Sequence, residues 1–483
     1  MSVVLAAPTL ERLSPLQRLE ELCDAGSLRP LRTGVRSHAL GAKACAGDGV
    51  LAATGRIGGR PVAIFAQDVS MAGGSLGAVH ADTVVELMRL AGRARIPVIG
   101  CVESAGARIH EGLAALGGYG RIFRGHVALS GRVPQISIIC GACAGGGAYA
   151  PALTDFVLMT EQASMFLTGP GVVGQVTGEE IDAASLGGPK VHDRNGVCHM
   201  VAADDLDAAA KARELLDYLP QHAAERPAPR PTVAPPHDPP DAAVPAEERQ
   251  VYDVRVVARS LVDGGRLLEV SPRYARNVVC AFARLEGRAV GIVANQPRYL
   301  GGVLDSDASQ KAARFVRTCN MFGIPLVVLV DTPGFLPGSQ QERSGVIRHG
   351  AKLVHAFAES TVPRLTVILR KGFGGAVIAM NSKHLGADLV YAWPQATLGV
   401  MGSKQAVDIV SRREIAAAAD RGATRDALAA AYADEHMTSD RAAADGFVDA
   451  VIRPADTRGA LASALASLDG IEAQPLAPGN IPL

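Results

Sequence analysis

The 483-residue sequence predicts an α/β fold built as two tandem copies of one unit. Three observations carry this: sequence blocks that recur in order, short apolar runs alternating with helix-period stretches, and a proline-dense segment between the copies. GRIGGRPVAIFAQD (55–68) returns as ARLEGRAVGIVANQ (283–296), GGSLG (73–77) as GGVLD (301–305), and IPVIGCVESAG (96–106) as IPLVVLVDTPG (324–334), each 228 positions later. VPQISIICGACAGGG (133–147) returns as VPRLTVILRKGFGGA (362–376), one position further on, and ASMFLTG (163–169) as ATLGVMG (396–402), at an offset of 233. Ordered blocks with so little drift mark a duplication of about 200 residues, far beyond the period of a solenoid repeat.

Taken in order, the N-terminal MSVVLAAPTLERLSPLQRLEELC has neither a basic start nor a long apolar run, so no secretory signal is expected. VAIFA, IPVIGCV, QISIIC and FVLMT are strand-length apolar runs. Between the first two, HADTVVELMRLAGRA places Val84, Leu87, Met88 and Ala91 at helical spacing. Strands alternating with helices predict an α/β fold whose strands are buried. Each strand ends in a glycine-rich turn, where backbone is bare and a ligand can approach. Val133 to Thr154 carries no charge and meets the length of a membrane span. Pro134, Gln135, Ser137, Tyr149 and the glycines dilute it, so it reads as a buried strand (ISIIC), a Gly/Ala loop and a tightly packed helix start. Pro220 to Pro245 holds nine of the 29 prolines, which predicts an exposed, semi-rigid connector. The expected domains are 1–219 and 248–483, joined by the linker 220–247.

Composition excludes several function classes. Lys+Arg and Asp+Glu both number 48, so there is no electrostatic footprint for nucleic acid or an anionic membrane. Aromatic residues make up 4%, too few for a base-stacking platform. The eight cysteines are scattered rather than arranged as a disulfide framework, which suits a reducing cytoplasm. Cys140 and Cys143 form a CxxC, but no second CxxC or His pair completes a metal site, and no HExxH occurs among the twelve histidines.

The chemistry-bearing segments are Cys140 to Ala148 (CGACAGGGA) and Leu369 to Val377 (LRKGFGGAV). Each follows an apolar strand and opens a helix-like stretch. Amides at a helix start point outward without intrahelical acceptors and can hold an anion such as an enolate or oxyanion. One cradle per copy implies two oxyanions held by symmetric machinery; the bland alternative is that the glycines only permit close helix–strand packing. Neither segment is a P-loop or a dinucleotide fingerprint. Gly73-Gly74-Ser75-Leu76-Gly77 satisfies the GxSxG of serine hydrolases, but its repeat partner has Val303 in place of the serine, which argues against a nucleophile. Glu103 and Asp331 stand in equivalent places after strands, where capping or loop ordering is the expected role.

Several segments resemble the β subunits of biotin-dependent acyl-CoA carboxylases of the acetyl-/propionyl-CoA type. They are ESAGARIHEG (103–112), CGACAGGGAYAPALTDFVLM (140–159), FLTGPGVVGQVTGEEID (166–182), ASLGGPKVH (184–192), YDVR (252–255), GGVLDSDASQKAARFVRTCNMFGIPLVVLVDTPGFLPG (301–338), GVIRHGAKLVHAFAE (345–359), KGFGGAVIAMNSK (371–383) and GNIPL (479–483). The resemblance implies two crotonase-like domains in a hexamer (a trimer of dimers), the first binding acyl-CoA and the second receiving carboxybiotin from a carrier. It implies that Gly145 and Gly146 stabilise a thioester enolate and that Gly375 and Ala376 stabilise the biotin ureido oxyanion, with released biotin as the proton acceptor. Ala105, Gly106, Ala107, Arg108, Gly147, Gly334, Gly374 and Ile378 are the implied substrate-binding positions.

The family pattern SGGAR stands here as Ser104-Ala105-Gly106-Ala107-Arg108, and GEKI as Ala81-Asp82-Thr83-Val84, which removes a lysine near the coenzyme A loops. Ile378 occupies a position that borders the acyl pocket in the resembling enzymes, and an aliphatic residue there suits acetyl-CoA and propionyl-CoA alike. No Met-Lys-Met biotinylation site, ATP-binding carboxylase module or four-cysteine zinc ribbon is found, so a biotin carboxylase/carrier (α) subunit is the implied partner and no metal is expected. The alternatives are a decarboxylase or transcarboxylase subunit of the same fold, a non-catalytic scaffold, and a serine hydrolase.

Overall fold

A Gly-Gly pair between two strand-like stretches closes the first hairpin. Gly58 and Gly59 sit at φ 57° and 78°, the left-handed pair a two-residue turn of this kind demands. In this computed structural model, which describes residues 12–236, 240–247, 250–471 and 481, the chain divides into two units between Glu225 and Arg226.

The first unit begins with α1 (Pro15–Leu22), β1 (Arg29–Leu31), β2 (Val50–Ile57), β3 (Arg60–Gln67), α2 (Ala78–Ala94) and β4 (Val98–Ser104). It continues with α3 (Leu113–Leu129), β5 (Gln135–Ala144), α4 (Gly146–Ala152), β6 (Phe156–Thr160) and β7 (Ser164–Phe166). Three short helices, α5 (Pro170–Thr177), α6 (Ala183–Gly187) and α7 (Pro189–His192), precede β8 (Met200–Ala202) and α8 (Asp205–Tyr218). The sheet runs β1-β2-β3-β4-β5-β6-β8, with β7 beside the end of β5. Its first three strands are antiparallel and the rest parallel. Every residue of β4 is buried, as befits a parallel strand covered on both faces. The helix read from spacing is α2, and Val84, Leu87, Met88 and Ala91 are all on its buried side.

The second unit repeats this strand for strand: β9 (Leu268–Val270), β10 (Val278–Leu285), β11 (Arg288–Asn295), β12 (Leu326–Thr332), β13 (Arg364–Phe373), β14 (Leu389–Ala392), β15 (Thr397–Gly399) and β16 (Ala450–Val451). The order is β16-β14-β13-β12-β11-β10-β9, with β15 beside β13. Its helices are α9 (Val254–Leu261), α10 (Ser306–Met321), α11 (Ser339–Arg343), α12 (Val346–Glu359), α13 (Gly374–Ala379), α14 (Ser403–Val410), α15 (Arg412–Ala417), α16 (Arg421–His436), α17 (Ser439–Ala444) and α18 (Thr457–Ser467).

Two readings change. The strand expected to end at ISIIC runs on through Ala144, so CGACA is strand and Gly145 alone makes the turn. The proline-rich linker is largely exposed as expected, yet it does not hang free. Arg230 donates its amide to the Gly287 carbonyl (2.9 Å) and the Ala234 carbonyl accepts from Gly264 (3.3 Å), both in the second unit. Among the described residues no helix is long and apolar enough to cross a membrane. The closing GNIPL lies, but for Ile481, outside the described residues.

Candidate active site

In the first unit β5 passes into α4 through Gly145, at φ 60° and ψ −128°. The Gly145 amide donates to the Phe166 carbonyl on β7 (3.0 Å), and its own carbonyl accepts from Ala148 (3.0 Å). Gly146 and Gly147 open the helix, and their amides find no backbone acceptor among the described residues. The pair without a backbone acceptor is therefore Gly146 and Gly147, the first half-buried and the second buried. Gly145, expected to be a donor, has its amide spent on β7 and serves as the turn. In the second unit Gly374 takes the same turn position at φ 62°, and Gly375 and Ala376 follow it at the start of α13. The register of the duplication pairs Gly145 with Gly374, Gly146 with Gly375, and Gly147 with Ala376, so the two amide pairs are equivalent.

Two interlocked loops flank the first cradle. Ala105 donates to the Gly73 carbonyl (3.0 Å), Leu76 to Gly106 (2.8 Å) and Arg108 to Leu76 (2.9 Å). Gly106 sits at φ 100°, and a Cβ there would lie 3.2 Å from the Ala144 carbonyl oxygen, just ahead of the cradle. Ala105 is exposed and Ala107 half-buried. The second unit repeats the lock: Leu304 donates to Gly334 (3.0 Å) and Leu336 to Leu304 (2.7 Å). Ile378 is half exposed on α13.

Arg108 departs from the expectation of substrate binding. It is buried, and its guanidinium reaches Asp48 (2.8 Å), Glu111 (2.8 Å) and the Ser75 carbonyl (3.0 Å). Burial pushes the Asp48 carboxyl up against the opposing pull of Arg108. Glu111, although burial works against its charge, is held below the usual range by the Ala78 amide, Arg108 and Ser37. Arg108 thus fastens the Ser75 turn to Asp48 and Glu111 in the interior.

The strand ends have a second fastening, more specific than the capping or loop ordering expected of Glu103 and Asp331. The Gln67 side-chain oxygen accepts from the Glu103 amide (3.0 Å), and its repeat partner Asn295 accepts from Asp331 (3.3 Å). The Glu103 carboxylate takes Arg12 (2.7 Å) and Arg18 (2.9 Å). The Asp331 carboxylate takes Arg370 (3.1 Å), and burial lifts its proton affinity against the pull of Arg370 and Lys371.

Other chemistries find no footing. Cys140 and Cys143 are both buried free thiols. Burial pushes the Cys143 thiol up to about 12, well away from a reactive thiolate. Among the described residues no hydrogen bond joins Ser75 to a histidine. No group of three or more His, Cys, Asp or Glu is arranged for a metal ion among those residues either.

Comparison with known proteins agrees with this architecture. Residues 11–475 match the carboxyl transferase domain family. The chain is 46% identical over 490 residues to the propionyl-CoA carboxylase beta chain of Saccharopolyspora erythraea, covering 97% of this chain and 90% of that one. It is 43% identical over 486 residues to the methylmalonyl-CoA decarboxylase subunit alpha of Veillonella parvula, covering 98% and 93%. Among solved structures, the transcarboxylase 12S hexamer with methylmalonyl-coenzyme A and methylmalonic acid bound superposes with a TM-score of 0.93 at 46% identity, covering 98% of this chain and 92% of that one.

Proposed function

The chain belongs to the carboxyl transferase family, and from that premise we propose how its two cradles divide one carboxyl transfer. It is a carboxyltransferase of the biotin-dependent acyl-CoA carboxylases, with two crotonase-like domains and a coenzyme A thioester as substrate. Biotin, borne on a separate carrier subunit, supplies the transferable carboxyl group and, once relieved of it, a basic ureido nitrogen. The second cradle suits that ring: Gly375 is exposed, and a Cβ there would meet nothing nearer than 4.0 Å.

In our reading the amides of Gly146 and Gly147 hold the thioester oxygen of the acyl-CoA. As the α-proton departs, charge grows on that oxygen, and fixed donors stabilise it more than they stabilise the neutral thioester. Each such donor contributes about 3–4 kcal/mol to the transition state. Gly375 and Ala376 hold the ureido oxygen in the same way. The α-carbon loses its proton and gains the carboxyl carbon; the thioester stays intact. Side-chain carboxylates are not needed as base, and Glu103 and Asp331 are both committed to arginine. Ala105, Gly106, Ala107 and Gly147 line the acyl-CoA side, Gly334 and Gly374 the biotin side, and Arg108 positions rather than binds.

Short-chain substrates, acetyl-CoA and propionyl-CoA, suit the aliphatic Ile378. The partner is a biotin carboxylase/carrier subunit, the assembly a hexamer like the 12S relative, and the compartment the cytoplasm. The duplicated pair of helix-start amides behind a left-handed glycine carries this reading. The test is carboxylation of acetyl-, propionyl- and butyryl-CoA by the purified chain with a biotinylated carrier, biotin carboxylase, ATP and bicarbonate. Failure with all three sinks the reading. A second reading, transcarboxylase or decarboxylase, is favoured by the relatives that do those reactions, and faster turnover from methylmalonyl-CoA to carrier biotin than in the forward direction would establish it.

A further inference from the structure

The cradle strands β5 and β13 carry the same irregularity. Pairing of β4 with β5 jumps from Val102↔Ile139 to Ser104↔Cys143, and pairing of β12 with β13 jumps from Val330↔Ile368 to Thr332↔Gly372. In each unit three residues thus bulge opposite one buried acid, Glu103 or Asp331. Such bulges re-aim side chains beside active sites. The middle residue of the bulge is Gly141 in the first unit and Arg370 in the second.

The two units satisfy the acid differently. At Gly141 a Cβ would lie 2.2 Å from Glu103 Oε1, which Arg12 also holds, so a side chain there would displace a paired carboxylate, and the cations come instead from Arg12 and from Arg18 of α1. Arg370 fills that place itself, 3% exposed, with Nε on Asp331 (3.1 Å). Its Nη1 also donates to three carbonyls at and just past the linker's end, Pro245 (3.3 Å), Glu247 (2.9 Å) and Gln250 (2.9 Å), and its guanidinium lies 5.1 Å from the Tyr252 ring centre. A buried acid held by a guanidinium has survived the duplication although the arginine comes from a different element in each half.

We propose that Arg370 is a positioning residue for the second cradle: it ties Asp331 and the backbone at 245–250 to the bulge that leads into Gly374, Gly375 and Ala376, while Arg18, held by Asp205 (2.8 Å), fixes the first acid, Glu103, opposite its bulge. Because the supplier differs, the two cradles are set independently. This inference rests on the division of labour proposed above.

The test uses the full chain, with methylmalonyl-CoA as donor and free biotin as acceptor. Arg370→Lys keeps a cation for Asp331 but cannot span three carbonyls; Arg18→Lys is its counterpart. Misplacement by about 1 Å costs on the order of a hundredfold. The expected result is a crossed pattern. Arg370→Lys raises KM for biotin about tenfold or more, leaves KM for methylmalonyl-CoA within about twofold, and speeds proteolysis of the linker, whereas Arg18→Lys raises KM for methylmalonyl-CoA alone. Arg370→Met combined with Asp331→Leu replaces the pair with apolar bulk, an exchange that buried ion pairs often tolerate, and should show the same biotin-side defect in a folded chain. Equal losses on both substrates, or none, overturn the proposal. A wild-type chain that transfers nothing to biotin instead sinks the functional reading beneath it.

Discussion

Gly146→Ala is the sharpest perturbation of the first cradle. A Cβ on Gly146 would lie 2.8 Å from Cγ and Cδ2 of Tyr119 and 3.0 Å from Cε2, where carbon atoms rest at about 3.5–4.0 Å. The ring cannot step aside cheaply: Tyr119 is buried in the first unit's core and stacks at 5.9 Å on Phe123. Relief therefore comes from the start of α4, which must lift by about 0.7–1 Å given that contact distance. The amides of Gly146 and Gly147 move with it. Overpacking of this kind costs about 1–3 kcal/mol of stability, which a unit of this size survives. For the reaction, loss or misplacement of one oxyanion donor lowers kcat about 10²- to 10³-fold. The assay is steady-state carboxylation of propionyl-CoA alongside circular dichroism and thermal melting. A folded Gly146→Ala chain that keeps more than about a tenth of kcat would show that these amides hold no developing charge, since a single donor accounts for more than that.

Three further outcomes follow from neighbouring residues. Gly145→Ala forces a positive-φ backbone (ψ −128°) on an L residue but meets no atom nearer than 3.9 Å, so it should cost about 1–3 kcal/mol, or roughly 2–12 °C in Tm, with a far smaller kcat loss than Gly146→Ala. His80 is fully buried, and burial aided by nearby Arg108 lowers its pKa to about 3 from 6.5. Below pH 6.5 the unfolded chain takes up a proton the native one refuses, so denaturant midpoints should fall as pH drops from 6.5 toward 3, by up to about 1.4 kcal/mol per pH unit; His80→Gln should flatten that slope, and an unchanged slope would assign it elsewhere. Ser75→Ala should leave turnover intact, since the Ser75 contact that matters is its backbone carbonyl on Arg108; lost turnover would revive the hydrolase reading.

The duplication, the buried strands, α2 and the two glycine cradles were legible because each depends on local pattern: apolar period, bare turns, and blocks that repeat in register. The antiparallel edge is also encoded, in Gly58-Gly59, but that pair lies inside a long repeat block whose recurrence masks its turn signal. The register of the first amide pair was not legible. Gly145, Gly146 and Gly147 are one residue type, and only the bond from Gly145 to Phe166, twenty-one positions away, decides which two amides are free. Carrying the offset of 229 from the second copy would have pointed there, since Gly375 and Ala376 align with Gly146 and Gly147. Arg108 misled for a related reason. An arginine in a glycine-rich loop suggests an anion ligand, and nothing nearby in sequence announces that Asp48, sixty residues upstream, neutralises it in the interior.

What duplication leaves unequal is as informative as what it preserves. The two copies keep the acid one residue before the strand's end, the amide side chain that holds its backbone, the bulge opposite and the left-handed glycine beyond. All four act on backbone placement. The residues that differ at equivalent positions, Ser75 against Val303, Arg108 against Leu336 and Gly141 against Arg370, are side chains whose work can be passed to another element. A site built from main-chain donors tolerates that exchange, because its charge-bearing atoms are common to every residue type. The two halves therefore share their strand-end geometry while the side chains at these positions differ.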